Sequence, residues 1–257
     1  MKEQLHTIPI SEAMEHASEC PFCYIERKTE NHAMDFVLGH GASYMEADIR
    51  EMTDKAGFCR AHFKKMFDYG NALGNAWILK THYKRILDEM TKEFSRFKPS
   101  ASCKKSGFFR KNTSSDQPSN SIKQWIDQKE HSCFICNMVK RTFDDYLNTF
   151  FQMYKKDAGF RSKLSQTKGF CLTHFGLLCE AADQNLSGEE LTAFYDTVLP
   201  LMQKNMERLY EDVSWFIEKY DYRNKDADWK DSKDAIQRGM QKLKGSDPSL
   251  PPHQYKK

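Results

Sequence analysis

Two patterns of sulfur and imidazole each occur twice in this chain. The first copy opens with Cys20-Pro21-Phe22-Cys23 and closes with Gly57-Phe58-Cys59-Arg60-Ala61-His62-Phe63. The second opens with Cys133-Phe134-Ile135-Cys136 and closes with Gly169-Phe170-Cys171-Leu172-Thr173-His174-Phe175. The spacers, Cys23 to Cys59 and Cys136 to Cys171, contain 35 and 34 residues. The chemistry that suits this frame is metal ligation, since a structural zinc site takes four Cys and His ligands in a tetrahedron. Residues three apart share a helix face, so Cys59 with His62, and Cys171 with His174, can aim at one ion. A glycine before each pair suits a turn into a helix start, where free N–H groups and the dipole favour thiolate. The expected ligands are therefore Cys20, Cys23, Cys59 and His62, then Cys133, Cys136, Cys171 and His174, with two Zn²⁺ per chain. Near-equal spacers favour each copy closing its own site, although ligands exchanged between copies or chains would satisfy the same spacing.

Other chemistries fit parts of the pattern. An iron–sulfur cluster also uses cysteine thiolates. Cys20-Pro21-Phe22-Cys23 alone has the form of a thioredoxin-type redox pair. The second copy lacks its proline, however, no βαβ pattern surrounds either pair, and a disulfide needs no histidine at a fixed offset. Buried unligated cysteines would not explain a recurring four-residue frame. His40, a loop histidine between two glycines, and His131, which has no counterpart in the first copy, are expected to be non-ligands; Cys103 is expected to stay unligated and Cys179 to be a buried thiol.

The elements that must position these groups are helices. Apolar residues at steps of three and four mark Arg60 to Phe97, the stripe from Val139 to Tyr154, and a helix through Leu191 to Tyr220 with Pro200 inside it. Shorter helices are expected over Glu12–Ala17, Tyr24–Val37, Tyr44–Thr53 and Trp229–Leu243. Pro9 is read as blocking an earlier helix start. Ser187 and Glu190 have capping-box spacing. The aromatic and Met residues of the 60–97 stripe are read as core. No run alternates as a strand would. The fold expected is all-α, an internally duplicated helical bundle with two Cys3His staples. Its parts are a first repeat over 1–97, a polar and basic linker over 98–121, a second repeat over 122–244 and a tail over 245–257.

Composition narrows the function classes. At 257 residues with 39% hydrophobic content, the chain can build a proper core. Its 39 basic and 36 acidic residues nearly balance, which is no nucleic-acid footprint. The basic, aromatic run Lys104–Lys111 leaves nucleic acid open as a weakly signalled partner. No apolar run reaches the roughly 20 residues of a membrane helix, and Met1 to Ser18 has no signal-peptide core. The expected compartment is the cytosol, where thiols stay reduced.

Laid out in full, the chain resembles an uncharacterised bacterial family known mainly from clostridia and related Firmicutes and catalogued as a domain of unknown function. The shared marks are Cys20-Pro21-Phe22-Cys23, Tyr44-Met45-Glu46-Ala47-Asp48-Ile49-Arg50, Gly57 to Phe63, the second Cys/His set, and Trp229 to Lys244. Some members are labelled ABC-transporter substrate-binding proteins, which would require export. The resemblance implies no activity. Every Cys and His of the frame is used as a ligand, which leaves no open position for catalysis, and no phosphate loop, nucleophile elbow or HExxH motif is present. The function expected is a zinc-binding scaffold that binds a protein partner. A thiol/zinc redox sensor and an iron–sulfur or metal-dependent enzyme are the alternatives.

Overall fold

The computed structural model describes residues 6–99 and 120–245. The run Lys104–Lys111, Cys103 and the tail from residue 246 lie outside the described residues. Eleven α-helices and three short 3₁₀ turns account for the described elements, and no strand is among them. In chain order the helices are α1 (Thr7–Glu15), α2 (Pro21–Leu38), α3 (Ala47–Ala56), α4 (Arg60–Tyr69), α5 (Ala72–Arg96), α6 (Ser121–Glu130), α7 (Phe134–Lys156), α8 (Ala158–Gln166), α9 (Leu172–Asn185), α10 (Gly188–Glu218) and α11 (Ala235–Lys244). No helix among the described residues is long and apolar enough to cross a membrane.

The all-α expectation holds, and its departures have local causes. Helix α1 begins before Pro9, not after it. A proline in the first turn forgoes only an N–H that would have no intrahelical partner there. The single helix expected over 60–97 is two. Gly70 adopts φ 82°, which ends α4, and the Asn71 side chain accepts the Gly74 N–H to restart α5. Ser187 makes no side-chain cap bond, so the capping box does not form. Helix α10 continues through Pro200. The stripe on α5 is not core as expected. Ile78 is fully buried, but Leu73, Tyr83, Leu87 and Phe94 are more than half exposed.

Contacts divide the described chain into two compact units. Residues up to His32 and from Val139 onward form the first, and Ala33 to Met138 form the second. Helices α2 and α7 each supply residues to both units. The first unit holds a phenylalanine-rich core in which Phe22, Phe150, Phe151, Phe170 and Phe194 are each at most 1% exposed. Their rings meet edge-on or tilted, for example Phe22 on Phe150 at 5.5 Å and Phe151 on Phe194 at 5.5 Å. The second unit has a smaller core around Met34, Leu38, Met66, Ile78 and Ile135.

Candidate metal centres

Each of the four Cys/His patterns starts a helix in the same way. Cys20, Cys59, Cys133 and Cys171 directly precede α2, α4, α7 and α9, and the second residue of each pair lies in the first turn. The leading sulfur can take the place of a capping oxygen. The Cys171 sulfur accepts the His174 N–H at 3.4 Å, and the Cys133 sulfur accepts the Cys136 N–H at 3.5 Å. C-x2-C and C-x2-H are therefore one structural unit with different second ligands. Each presents two donor atoms at a helix N-terminus, where the partial positive charge stabilises thiolate.

These half-sites combine crosswise. Cys20 and Cys23 meet Cys171 and His174 in the first unit, and Cys59 and His62 meet Cys133 and Cys136 in the second. The four donor atoms of each group lie within 4.8 Å of one another. All eight expected residues are thus gathered, but the expectation that each copy closes its own site is overturned. The reason is the path of two long helices. Helix α2, 18 residues and about 27 Å long, carries the chain out of the first unit and into the second before Cys59, and the 23-residue α7 carries it from the second into the first before Cys171.

The first centre is closed on every side. Its ligand residues are 0–7% exposed. His174 Nδ1 stands 3.3 Å from the Cys171 sulfur, 3.4 Å from that of Cys23 and 3.5 Å from that of Cys20, and the Cys23 and Cys171 sulfurs are 3.7 Å apart. The rings of Phe143 and Phe22 stand 5.0 and 5.9 Å from the imidazole. Its far nitrogen, Nε2, lies 3.5 Å from a Glu26 carboxylate oxygen. That is the outer partner a ligating histidine ordinarily has.

Helix α11 covers this centre. Its terminal Gly245 adopts φ 84°, and a Cβ there would stand 3.3 Å from the Cys171 sulfur and 3.4 Å from that of Cys23. Lys242, 1% exposed, donates its ammonium to the Glu19 carbonyl at 3.0 Å and to the Lys168 carbonyl. Burial pushes its pKa down to about 8, against the pull of Glu19 and the Cys20 and Cys171 sulfurs. Glu19, also 1% exposed, holds the segment just before Cys20. It accepts from Arg208 at 2.6 Å, and Arg238 stands 3.6 Å away.

The second centre repeats the geometry with less cover. His62 Nδ1 lies 3.2 Å from the sulfurs of Cys59 and Cys133 and 3.4 Å from that of Cys136, and the Cys59 and Cys136 sulfurs are 3.9 Å apart. A backbone bond from Phe134 N–H to the Gly57 carbonyl, 2.8 Å, ties the two half-sites together. Gly57 adopts φ 62°, and a Cβ there would meet the His82 ring at 2.9 Å. His62 and Cys133 are buried, Cys59 is half-buried and Cys136 is exposed.

The protons of each group behave as those of crowded sulfurs. In the first centre, hydrogen bonds from Cys20 and Cys23 hold the Cys171 pKa far below the usual thiol range. Those same contacts, with Cys171 the strongest, drive that of Cys23 far above it. Burial works against the His174 proton, yet the Cys171 and Cys20 sulfurs raise its pKa to about 10. In the second, burial opposes ionisation of Cys133, but the His62 hydrogen bond brings it to about 6. Burial and the Cys133 charge push Cys136 up to about 12. One thiolate forms easily in each group and the last forms with difficulty. A divalent cation is what relieves that repulsion, so both groups can hold a metal ion.

The remaining candidates fall outside these groups. The His131 Nδ1 pairs with the Asp127 carbonyl at 2.7 Å, and neither it nor His40 belongs to either cluster. Cys179 on α9 is half-buried. Sequence reasoning missed Glu26, Lys242 and Gly245, whose only signal was their place on an otherwise ordinary helix or at its end.

The chain belongs to DUF6062, a family of unknown function, whose model matches residues 1–249. No curated protein and no solved structure matches it significantly.

Proposed function

We propose that this member of DUF6062 is a zinc-binding helical scaffold whose two Cys3His centres are structural and which serves by binding a protein partner. The observation that carries this reading is the spacing of the donors. Two sulfurs at about 2.3 Å from a tetrahedral ion stand roughly 3.8 Å apart, and a sulfur and a nitrogen roughly 3.5 Å. The measured separations, 3.7 and 3.9 Å between sulfurs and 3.2–3.5 Å from sulfur to nitrogen, fit a single ion in each centre. An iron–sulfur cluster shares the same four ligands among two or four irons and so spreads them further. Three thiolates and one imidazole fill a tetrahedron, so bound zinc would keep no open position for substrate. What zinc supplies here is cross-linking: each ion fastens two helix starts that are distant in sequence.

The partner-binding half of this reading is supported by α5, which presents Leu73, Tyr83, Leu87 and Phe94 to solvent. The test of the metal half is elemental analysis of anaerobically purified protein, followed by chelation. Two zinc per chain, and loss of helical signal when a strong chelator removes them, are the expected results. Metal-free protein with unchanged melting would overturn the reading, and iron with matching sulfide would replace it with redox chemistry.

A further inference from the structure

Of the eight ligand residues, only Cys136 is exposed. Its neighbours prepare it for one reaction. Cys133 stands in the same helical turn, its sulfur within 4.8 Å of that of Cys136 and accepting the Cys136 N–H. Both sit at the start of α7, where the helix dipole favours anionic sulfur. The equivalent sulfur of the first centre, Cys23, is buried beneath Gly245. An oxidant in solution therefore reaches one centre and not the other.

We infer that Cys136 is an oxidation site at which a hydroperoxide opens the second centre while the first stays closed. This inference rests on the zinc reading above. With zinc bound as proposed, Cys136 has already lost its proton; its thiolate attacks one peroxide oxygen, the O–O bond breaks, hydroxide leaves, and Cys136 becomes a sulfenic acid. The Cys133 thiolate then attacks that sulfur, an S–S bond forms, the S–O bond breaks, and a second hydroxide leaves. Two thiolates have together lost two electrons to one peroxide, with water as the final product once the hydroxides are protonated. Cys59 and His62 remain, two ligands short of a tetrahedron, and the ion is released. Cys133 resolves the sulfenic acid because it is tethered three residues away in the same turn, so it remains near when the metal leaves. The second unit thereby carries a peroxide-operated release of its metal staple, and the first unit continues to hold its own.

The experiment uses the full chain with its metal content measured first. Zinc release is followed with a chromogenic chelator while hydrogen peroxide is added in small steps. The cysteines are then blocked with light and heavy alkylating reagents and mapped by mass spectrometry. The expected result is release of about one zinc per chain at least about tenfold faster than the second, with a Cys133–Cys136 disulfide and with Cys20, Cys23 and Cys171 still reduced. Simultaneous release of both ions, earlier oxidation of the first centre, or a disulfide joining Cys136 to Cys59 would overturn the inference. Protein that carries fewer than two ions before any peroxide is added would instead count against the zinc reading itself. The two failures are thus read at separate steps.

Discussion

The two centres are built from the same parts and differ in what surrounds them. Both pair a C-x2-C start with a C-x2-H start, and both histidines turn Nδ1 toward three sulfurs. Around the first lie a phenylalanine core, a capping helix, a buried lysine and a carboxylate behind the imidazole. The second has a small core and one exposed cysteine. The ligand set decides that an ion can be held. The shell decides how much of the fold depends on it and what chemistry can reach it.

The largest effect that would sharpen this contrast comes from the ligands. Cys171→Ser should remove the ion of the first unit and expose Cys20 and Cys23 to alkylation, at a stability cost on the order of 10 kcal/mol by analogy with zinc fingers. Cys59→Ser should instead expose Cys133 and Cys136 and leave Cys20 and Cys23 protected. If it exposed Cys20 and Cys23, the crosswise pairing would be refuted.

That pairing is the part of the architecture the sequence left open. The eight Cys and His residues that the structure gathers, the absence of strands among the described residues and most helices were readable from residue types and spacing. The pairing was not, because any C-x2-C start fits any C-x2-H start equally well. What separates the options is that α2 and α7 each carry the chain from one unit into the other between the two Cys/His pairs of a copy, and that depends on where helices start and stop. The stop at Gly70 and the early start before Pro9 were both misread, since amphipathic periodicity runs on across a glycine and a proline in the first turn forgoes little. The covering groups were hidden for a different reason. Lys242 is an ordinary polar residue on a helix until packing puts its ammonium against two carbonyls and near two sulfurs.

A smaller effect is expected at Glu19. Arg208, Arg238 and the buried Lys242 face its carboxylate. The arginines keep Asp212 and Asp234, but Glu19→Ala takes the facing carboxylate from the Lys242 ammonium and should cost about 3 kcal/mol. Differential scanning calorimetry should show the loss in the first unit, with the ion of the second retained. Equal loss from both centres would erase the distinction between their shells.

Acidity should separate the centres further. Ions can bind only as protons leave, so affinity must rise with pH. In the first centre both Cys23 and His174 hold protons that a metal must displace, since both are raised. In the second, Cys136 is raised to about 12, whereas Cys133 is already thiolate above about pH 6. Chelator competition between about pH 6.5 and 8.5 should give at least about one decade of affinity per pH unit in both centres, with the steeper slope in the first. A flat profile would mean that these sulfurs and imidazoles are not the ligands.

The smallest expected effect is at Glu26. Replacement of an outer carboxylate ordinarily costs about 10–100-fold in metal affinity. Glu26 is half exposed and 3.5 Å from His174, so Glu26→Gln should fall below that range. It should alter only the first centre. A change in the second would show that the centres are coupled.

The crosswise arrangement also orders the birth of the protein. Cys20 and His174 are 154 residues apart, whereas Cys136 and His62 are 74 apart and lie entirely between them. The centres are nested, one closed loop inside another. On a ribosome adding about 5–20 residues per second, Cys20 and Cys23 wait about 8–30 s for their partners. The inner centre has all its ligands first, and its closure shortens the free chain that the outer one must bring together. With metal bound as proposed, the inner staple has the means to close first and the outer one, with α11 laid over it, last.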